Sequence, residues 1–495
     1  MNKNLNLLIC VVLISALGFI VYANSLNGDF VWDDHFLVKS NLSIKSWQNI
    51  PKVFREDAGA GSAVKTNFYR PLQIVSYMLD YSLYGLKPRG YHLTSIILHI
   101  LVALSVYWLA NILFSSTLLS FIAGLLFVVH PLHSEAVAYI AGRADLLAGL
   151  FILLCLIFYI KQDNVKSKKL YIFMLSAYIL ALFSKEYGLI TPILLVLYSF
   201  LFCKKIQAKN LLSLLGISGF YLILRLTILK FPFAQNLPRT TLLQRIPGFF
   251  VAITEYLRLL LLPFNLHMEY GNKLFFFYAL QVILGFVVTL LLLIYAFIKR
   301  KNNILFAFSI FWFFLALLPN SNLYPLSYYM AEHWVYLASI GFFIILAQGL
   351  VALHKRKGIW CLGDFLILIL IFYSYLTIKQ NNYWKNEMSL FKYTWQNAND
   401  NPKACNNFCK ACVDNGEYKK AIMLCKQAIT LKENYEEPYY NLANAYLGIG
   451  DYLNAIKAFQ KAIAINPGYP GVKNAKEKIN EATVALGIIK EHSPF

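Results

Sequence analysis

Apolar residues run in blocks along most of this chain, at roughly 5–23, 92–114, 118–138, 144–160, 170–184, 188–203, 211–230, 274–298, 303–319, 333–353 and 359–378. Each block approaches the ~20 residues that an α-helix needs to cross hydrocarbon. The pattern therefore predicts an all-α polytopic membrane protein of about eleven transmembrane helices. The polar blocks between them differ in kind. Lys161, Lys166, Lys168 and Lys169, then Lys204, Lys205 and Lys209, then Lys299, Arg300 and Lys301, then Lys355, Arg356 and Lys357 share one side with Lys3 if each run crosses once. Lys and Arg concentrate in cytoplasmic loops, so the first loop, 24–91, and the C-terminus are expected outside. The first run lacks a clear small-residue cleavage site and reads as a retained helix.

One apolar segment, Ile246 to Pro263, breaks the alternation. It carries Glu255 and Arg258 one turn apart, and a crossing here would flip the later basic clusters outward. An interfacial or re-entrant helix on the outer side is expected instead.

Beyond residue 380 the apolar blocks give way to a repeat. At a shift of 34 residues Ala411 pairs with Ala445, Gly416 with Gly450, Tyr418 with Tyr452, Ala421 with Ala455, and Ala428 with Ala462. That period, with small residues at helix crossings, is the tetratricopeptide signature. The expected domains are a transmembrane part, 1–380, a helical linker, 381–400, and tetratricopeptide repeats with a capping helix, 401–490, forming an α-solenoid. Cys405, Cys409, Cys412 and Cys425 fall on inward-facing repeat positions, where packing explains them first, a disulfide second and zinc third.

Composition agrees with the pattern: 58% of residues are hydrophobic and 14% charged. A mean hydropathy of +0.54 excludes a soluble globular protein. The net charge of +20 sits mostly in the cytoplasmic loops and is no signature of nucleic-acid binding.

The candidate chemistry lies on the outer side. Gly28-Asp29-Phe30-Val31-Trp32-Asp33-Asp34-His35 follows the first helix and places two adjacent carboxylates at a membrane surface. Other outer stretches are Phe68 to Leu72 with Arg70, Tyr91 to Leu93, His130 to Val137, Gly142 to Leu147 with Arg143, Lys185-Glu186, and Met330 to Leu337 with Glu332 and His333. Ionisable residues at membrane edges are costly and so are functional candidates. His130, His133 and Glu135 do not have zinc-protease spacing, and Pro131 keeps the histidines off one helical face; hydrogen-bonded helix ends explain them better than a metal. Asn41-Leu42-Ser43 forms one N-glycosylation triplet.

Taken in order, Asn24 to Asp34, Tyr69-Arg70-Pro71-Leu72, His130-Pro131-Leu132-His133-Ser134-Glu135-Ala136-Val137, Gly142-Arg143-Ala144-Asp145, Ser184-Lys185-Glu186, Leu318 to Asn322 and Ala331-Glu332-His333-Trp334 ahead of the repeats resemble the transmembrane-and-tetratricopeptide-repeat (TMTC) protein O-mannosyltransferases and their bacterial relatives. The resemblance implies a GT-C glycosyltransferase: an inverting enzyme that moves a sugar, mannose first, from a polyprenyl-phosphate carrier to a hydroxyl, commonly Ser or Thr of a protein, outside the cytoplasm. Asp34, then Asp33, are the candidate general bases. Arg70, Arg143, Lys185 and His333 are candidates for the phosphate, and Glu135, Glu332 and His130 for further substrate contact. Two departures stand out: His333 replaces the usual arginine, and the repeat array is short. No cofactor is assigned, the lipid-linked sugar being substrate, and divalent-metal dependence is left open. The expected partners are that lipid and a protein or peptide held by the repeats. The expected location is a bacterial inner membrane, with the endoplasmic reticulum as alternative and the repeats on the periplasmic or lumenal side. The competing readings are a lipid-linked-sugar transporter or flippase, and a scaffold that only binds partners.

Overall fold

A computed structural model describes residues 3–231, 240–357 and 359–491; among them helices and their connecting turns account for the architecture, with no strand. The chain begins with α1 (Lys3–Tyr22). Its first loop carries the short α2 (Ile50–Val53) and ends in α3 (Pro71–Tyr84). There follow α4 (Pro88–Phe114), α5 (Thr117–Val129), α6 (Ser134–Ala138), α7 (Arg143–Val165), α8 (Lys168–Ser184), α9 (Thr191–Leu201), α10 (Ala208–Ile223), α11 (Leu242–Leu261), α12 (Leu280–Lys299), α13 (Ile304–Leu317), α14 (Ser339–Lys357) and α15 (Ile359–Tyr383). Every apolar block of the sequence is occupied by helix. Among the described residues six helices are long and apolar enough to cross a membrane, seven if the bent pair of α5 with Pro131–Ala138 is one span, and three shorter apolar helices accompany them. The protein is a multi-pass membrane protein. The segment expected at the interface is α11, which is not among those helices; its Glu255 and Arg258 pair with each other at 2.8 Å.

Two compact units divide the chain, residues 1–266 with 272–385, and 267–271 with 386–495. In the first, α4 packs against α1, α5 and α7, and α5 against α14. The ends of α1 and α15 are tied by asparagines: Asn24 Nδ2 donates to Ile378 O at 2.8 Å, and Asn381 Nδ2 to Val21 O at 3.1 Å.

The break after α5 has a local cause. Pro131 lacks an N–H and collides with the preceding turn, and α5 bends by 55° there. Carbonyls freed inside a bilayer must find other donors. Phe127 O accepts from His133 Nδ1 at 2.9 Å, Val128 O from His99 Nε2 at 3.2 Å, and Val129 O from Thr377 Oγ1 at 2.6 Å. His130 caps the new turn, Nδ1 receiving the Leu132 N–H at 3.3 Å while Nε2 meets Leu260 O at 3.1 Å. These histidines are the hydrogen-bonded helix ends expected of them. With both ring nitrogens used and the ring fully buried, His130 is enclosed in the bundle and touches no accessible site.

In the second unit α16 (Glu387–Asn397) precedes two helical hairpins, α17 (Pro402–Asp414) with α18 (Tyr418–Leu431) and α19 (Glu436–Gly448) with α20 (Tyr452–Ile465), and then α21 (Val472–Glu491). Gly416 and Gly450 turn the hairpins at φ +76° and +77°, a region that favours glycine. The four clustered cysteines are all buried, as a packed core requires, and Cys409 and Cys425 are also joined as a disulfide across α17 and α18. Cys405 and Cys412 are free thiols.

Candidate functional site

The first loop folds back on itself through Asp57 and Asn41. Asp57 Oδ1 accepts from Gly59 N at 2.8 Å, Thr66 N at 3.1 Å and Thr66 Oγ1 at 2.6 Å, and Asp57 Oδ2 accepts from Asn67 N. This fixes the irregular approach to Arg70, the residue before α3. Asn41 is wholly buried, its amide donating to Leu37 O at 3.0 Å and Ala58 O at 3.2 Å. The glycosylation triplet is therefore a piece of loop architecture.

Asp33 and Asp34 differ in access. Asp34 is fully enclosed, with Oδ2 receiving the Val31 N–H at 3.1 Å and Oδ1 the Ala141 N–H at 2.8 Å. Burial raises its carboxyl to about 8 against the pull of those two N–H groups. Asp33 stays partly accessible. Burial of its carboxyl raises it to about 6, with the Tyr139 hydroxyl, Arg70 and His333 each lowering it. A carboxyl near 6 is a competent proton acceptor close to neutral pH.

The turn that carries Tyr139 comes from α6 and α7. Gly142 folds it so tightly that a Cβ there would lie 2.6 Å from Glu135 O. Glu135 in turn grips the segment before α14: its Oε2 receives the His333 N–H at 2.9 Å and its Oε1 lies 2.9 Å from His333 Nδ1. Glu332 is buried beside it.

The predicted cations divide into two kinds. Arg143 is wholly buried, bonded to Asp80 at 2.6 Å and to Tyr91 O at 2.8 Å. Lys185 is held by both oxygens of Asp145 at 2.7 and 2.8 Å, and its burial lowers the ammonium despite that pairing. Both are internal struts here, each held in a buried ion pair. Arg70 is different. Its side chain is partly exposed, lies over the Phe68 ring at 4.0 Å, and shares Glu186 with Arg225, at 3.3 and 3.0 Å. Burial raises the Glu186 carboxyl, but the two guanidiniums outweigh it and hold it near 2.

Thus Asp33, Tyr139, Arg70, His333, Glu135, Glu186 and Arg225 meet at one end of the bundle, where the charge pattern placed the outer loops. Sequence reasoning missed Tyr139 and Arg225 as members, and named Glu186 only as part of an outer stretch. Arg225 had a signal, a lone guanidinium at the end of an apolar run; Tyr139 had none.

Tetratricopeptide-repeat profiles match residues 410–450 and 437–469. The chain is 29% identical over 457 residues to a Caenorhabditis elegans protein O-mannosyl-transferase, covering 87% of this chain and 63% of the relative. It is 27% identical to the Homo sapiens protein O-mannosyl-transferase TMTC1, covering 87% and 56%, and 38% identical over 166 residues to the Xenopus laevis protein O-mannosyl-transferase tmtc2, covering 33% and 20%. It thus spans less than two thirds of these relatives. Among solved structures, ArnT from Cupriavidus metallidurans bound to undecaprenyl phosphate aligns with TM-score 0.43 at 14% identity, over 91% of this chain and 79% of that one. The Archaeoglobus fulgidus oligosaccharyltransferase tethered to an acceptor peptide aligns with TM-score 0.47 at 13% identity, over 85% and 59%.

Proposed function

We propose that this chain, a relative of the TMTC protein O-mannosyl-transferases that ends in tetratricopeptide repeats, transfers mannose from a polyprenyl-phosphate carrier to a Ser or Thr hydroxyl of a protein, with inversion, on the extracytoplasmic face. The observation that carries the reading is Asp33, a partly accessible residue whose carboxyl is raised to about 6 beside the partly exposed Arg70.

The acceptor hydroxyl gives its proton to the Asp33 carboxylate as its oxygen bonds to the anomeric carbon. The bond from that carbon to the phosphate oxygen breaks, and its electron pair leaves with the phosphate. Arg70 and Arg225 stabilise that developing charge, with Glu186 keeping them parallel until the anion arrives. Asp33, rather than Asp34, is the base, because Asp34 is enclosed and already engaged by two backbone donors. An apolar groove of about 520 Å³ between α8 and α10, lined by Leu175, Ile179, Phe183, Ile217, Phe220 and Leu224, takes the lipid tail. Its Tyr221 end touches Arg225 at 3.5 Å, so apolar wall and cationic end suit a lipid phosphate.

The Cys409–Cys425 disulfide supports placing the repeats in an oxidising compartment. That agrees with the eleven crossings expected from a cytoplasmic N-terminus, in a bacterial inner membrane or the endoplasmic reticulum. The repeats hold the acceptor protein. The test is transfer of radiolabelled mannose from polyprenyl-phosphate-mannose, in membranes, by the native chain, Asp33→Asn and Asp34→Asn. Label that disappears only with Asp33→Asn supports the reading; no transfer by the native chain sinks it.

A further inference from the structure

Trp32, Tyr139 and Trp384 form a continuous stack beside Asp33. Trp32 and Tyr139 have centroids 5.6 Å apart and Tyr139 and Trp384 5.2 Å apart, each pair 22° from parallel. The three rings come from the first loop, the turn before α7 and the end of α15. Trp32 sits at φ +50°, which a bulky L-residue adopts only where its surroundings impose it. Tyr139 is clamped on both faces, and its ring has no freedom to rotate away. Its hydroxyl is buried, has no protein partner other than the Asp33 carboxyl, and faces that group.

We propose that Tyr139 is a positioning residue for the base: clamped between two tryptophans, its hydroxyl donates to the Asp33 carboxylate and aims it at the acceptor hydroxyl. The inference rests on the glycosyl-transfer reading and deepens it. The charged and titratable groups around Asp33 are Asp34 beside it, Tyr139 from the α6–α7 turn, Arg70 ahead of α3 and His333 ahead of α14. Donation from Tyr139 stabilises the carboxylate, in the same direction as Arg70 and His333 and against burial. Tyr139 keeps its own proton, because burial first and then the neighbouring Asp33 push its phenol well above the ordinary range.

The test compares the native chain, Tyr139→Phe and Tyr139→Leu by two readouts. One is the pH profile of mannose transfer in membranes. The other is infrared titration of the Asp33 carboxyl band, identified by its loss in Asp33→Asn, which needs no catalysis. Tyr139→Phe keeps the stack and removes only the hydroxyl. It is expected to move the acid limb and the band midpoint upward by about one pH unit, lowering the rate about tenfold at pH 5 and about twofold at pH 7, with donor KM unchanged. Tyr139→Leu is expected to lose more, since the stack goes too. An unmoved band in Tyr139→Phe overturns the proposal whatever its rate. A native chain that transfers no label while the band still moves in Tyr139→Phe refutes the transfer reading and retains the contact.

Discussion

Asp34 reaches across 107 residues to receive the Ala141 N–H at 2.8 Å, joining the first loop to the turn between α6 and α7. That bond makes one of two adjacent aspartates a strut and leaves the other partly accessible. Asp34→Asn keeps one acceptor oxygen and places an amide against the other backbone donor, so a loss of ~1–3 kcal/mol is expected. Thermal unfolding in detergent should show a lower Tm, with transfer per folded molecule largely retained.

The pH dependence of stability follows from the same carboxyl. Its folded value near 8 lies above that of an exposed aspartate, so unfolding releases a proton across the intervening range. The contribution is full below about 4, falls as pH rises, and is gone above about 8. Native Tm should decline over that window more steeply than that of Asp34→Asn.

Asp33→Asn should insert and unfold as the native chain does, yet lose transfer by ~10²–10⁴-fold, the usual contribution of a general base. In the native chain the rate should rise through a limb near pH 6 and level off above it, because the carboxylate is the active form. A rate independent of pH between 5 and 7 would count against Asp33.

The arginines should separate in kinetics. Arg70→Gln is expected to raise donor KM about tenfold, equivalent to ~1.4 kcal/mol of binding, with normal insertion. Arg143→Gln leaves Asp80 buried without its partner at 2.6 Å, a defect of ~3–5 kcal/mol. Its yield of folded protein should collapse, and adding Asp80→Asn should restore part of it. Folded yield by size-exclusion chromatography distinguishes the two.

Removal of the Cys409–Cys425 crosslink frees a loop of 16 residues. Loss of a disulfide closing a loop of that size is expected to cost ~3 kcal/mol. Cys409→Ser should therefore make the repeat unit more easily cut by protease in the full chain, and thiol labelling under non-reducing denaturation should find one pair oxidised only in the native protein.

The sequence alone determined the class of this protein. Apolar block length, the bias of Lys and Arg and the 34-residue period are one-dimensional consequences of bilayer thickness, charge translocation and helix-pair stacking, so each can be read without knowing what touches what. Local reasoning also used Pro131 to keep His130 and His133 off one helical face and read them as hydrogen-bonded helix ends. Which outer residue does what was decided only by tertiary structure. Asp33 and Asp34 are chemically identical neighbours, and only the arrival of Ala141 separates them. Arg70, Arg143 and Lys185 carry the same kind of charge, and only distant partners, Glu186, Asp80 and Asp145, divide an accessible cation from buried ones. Tyr139 shows the limit most plainly. Its two clamping tryptophans lie more than a hundred residues away on either side, and contacts over such separations leave no periodicity in the chain.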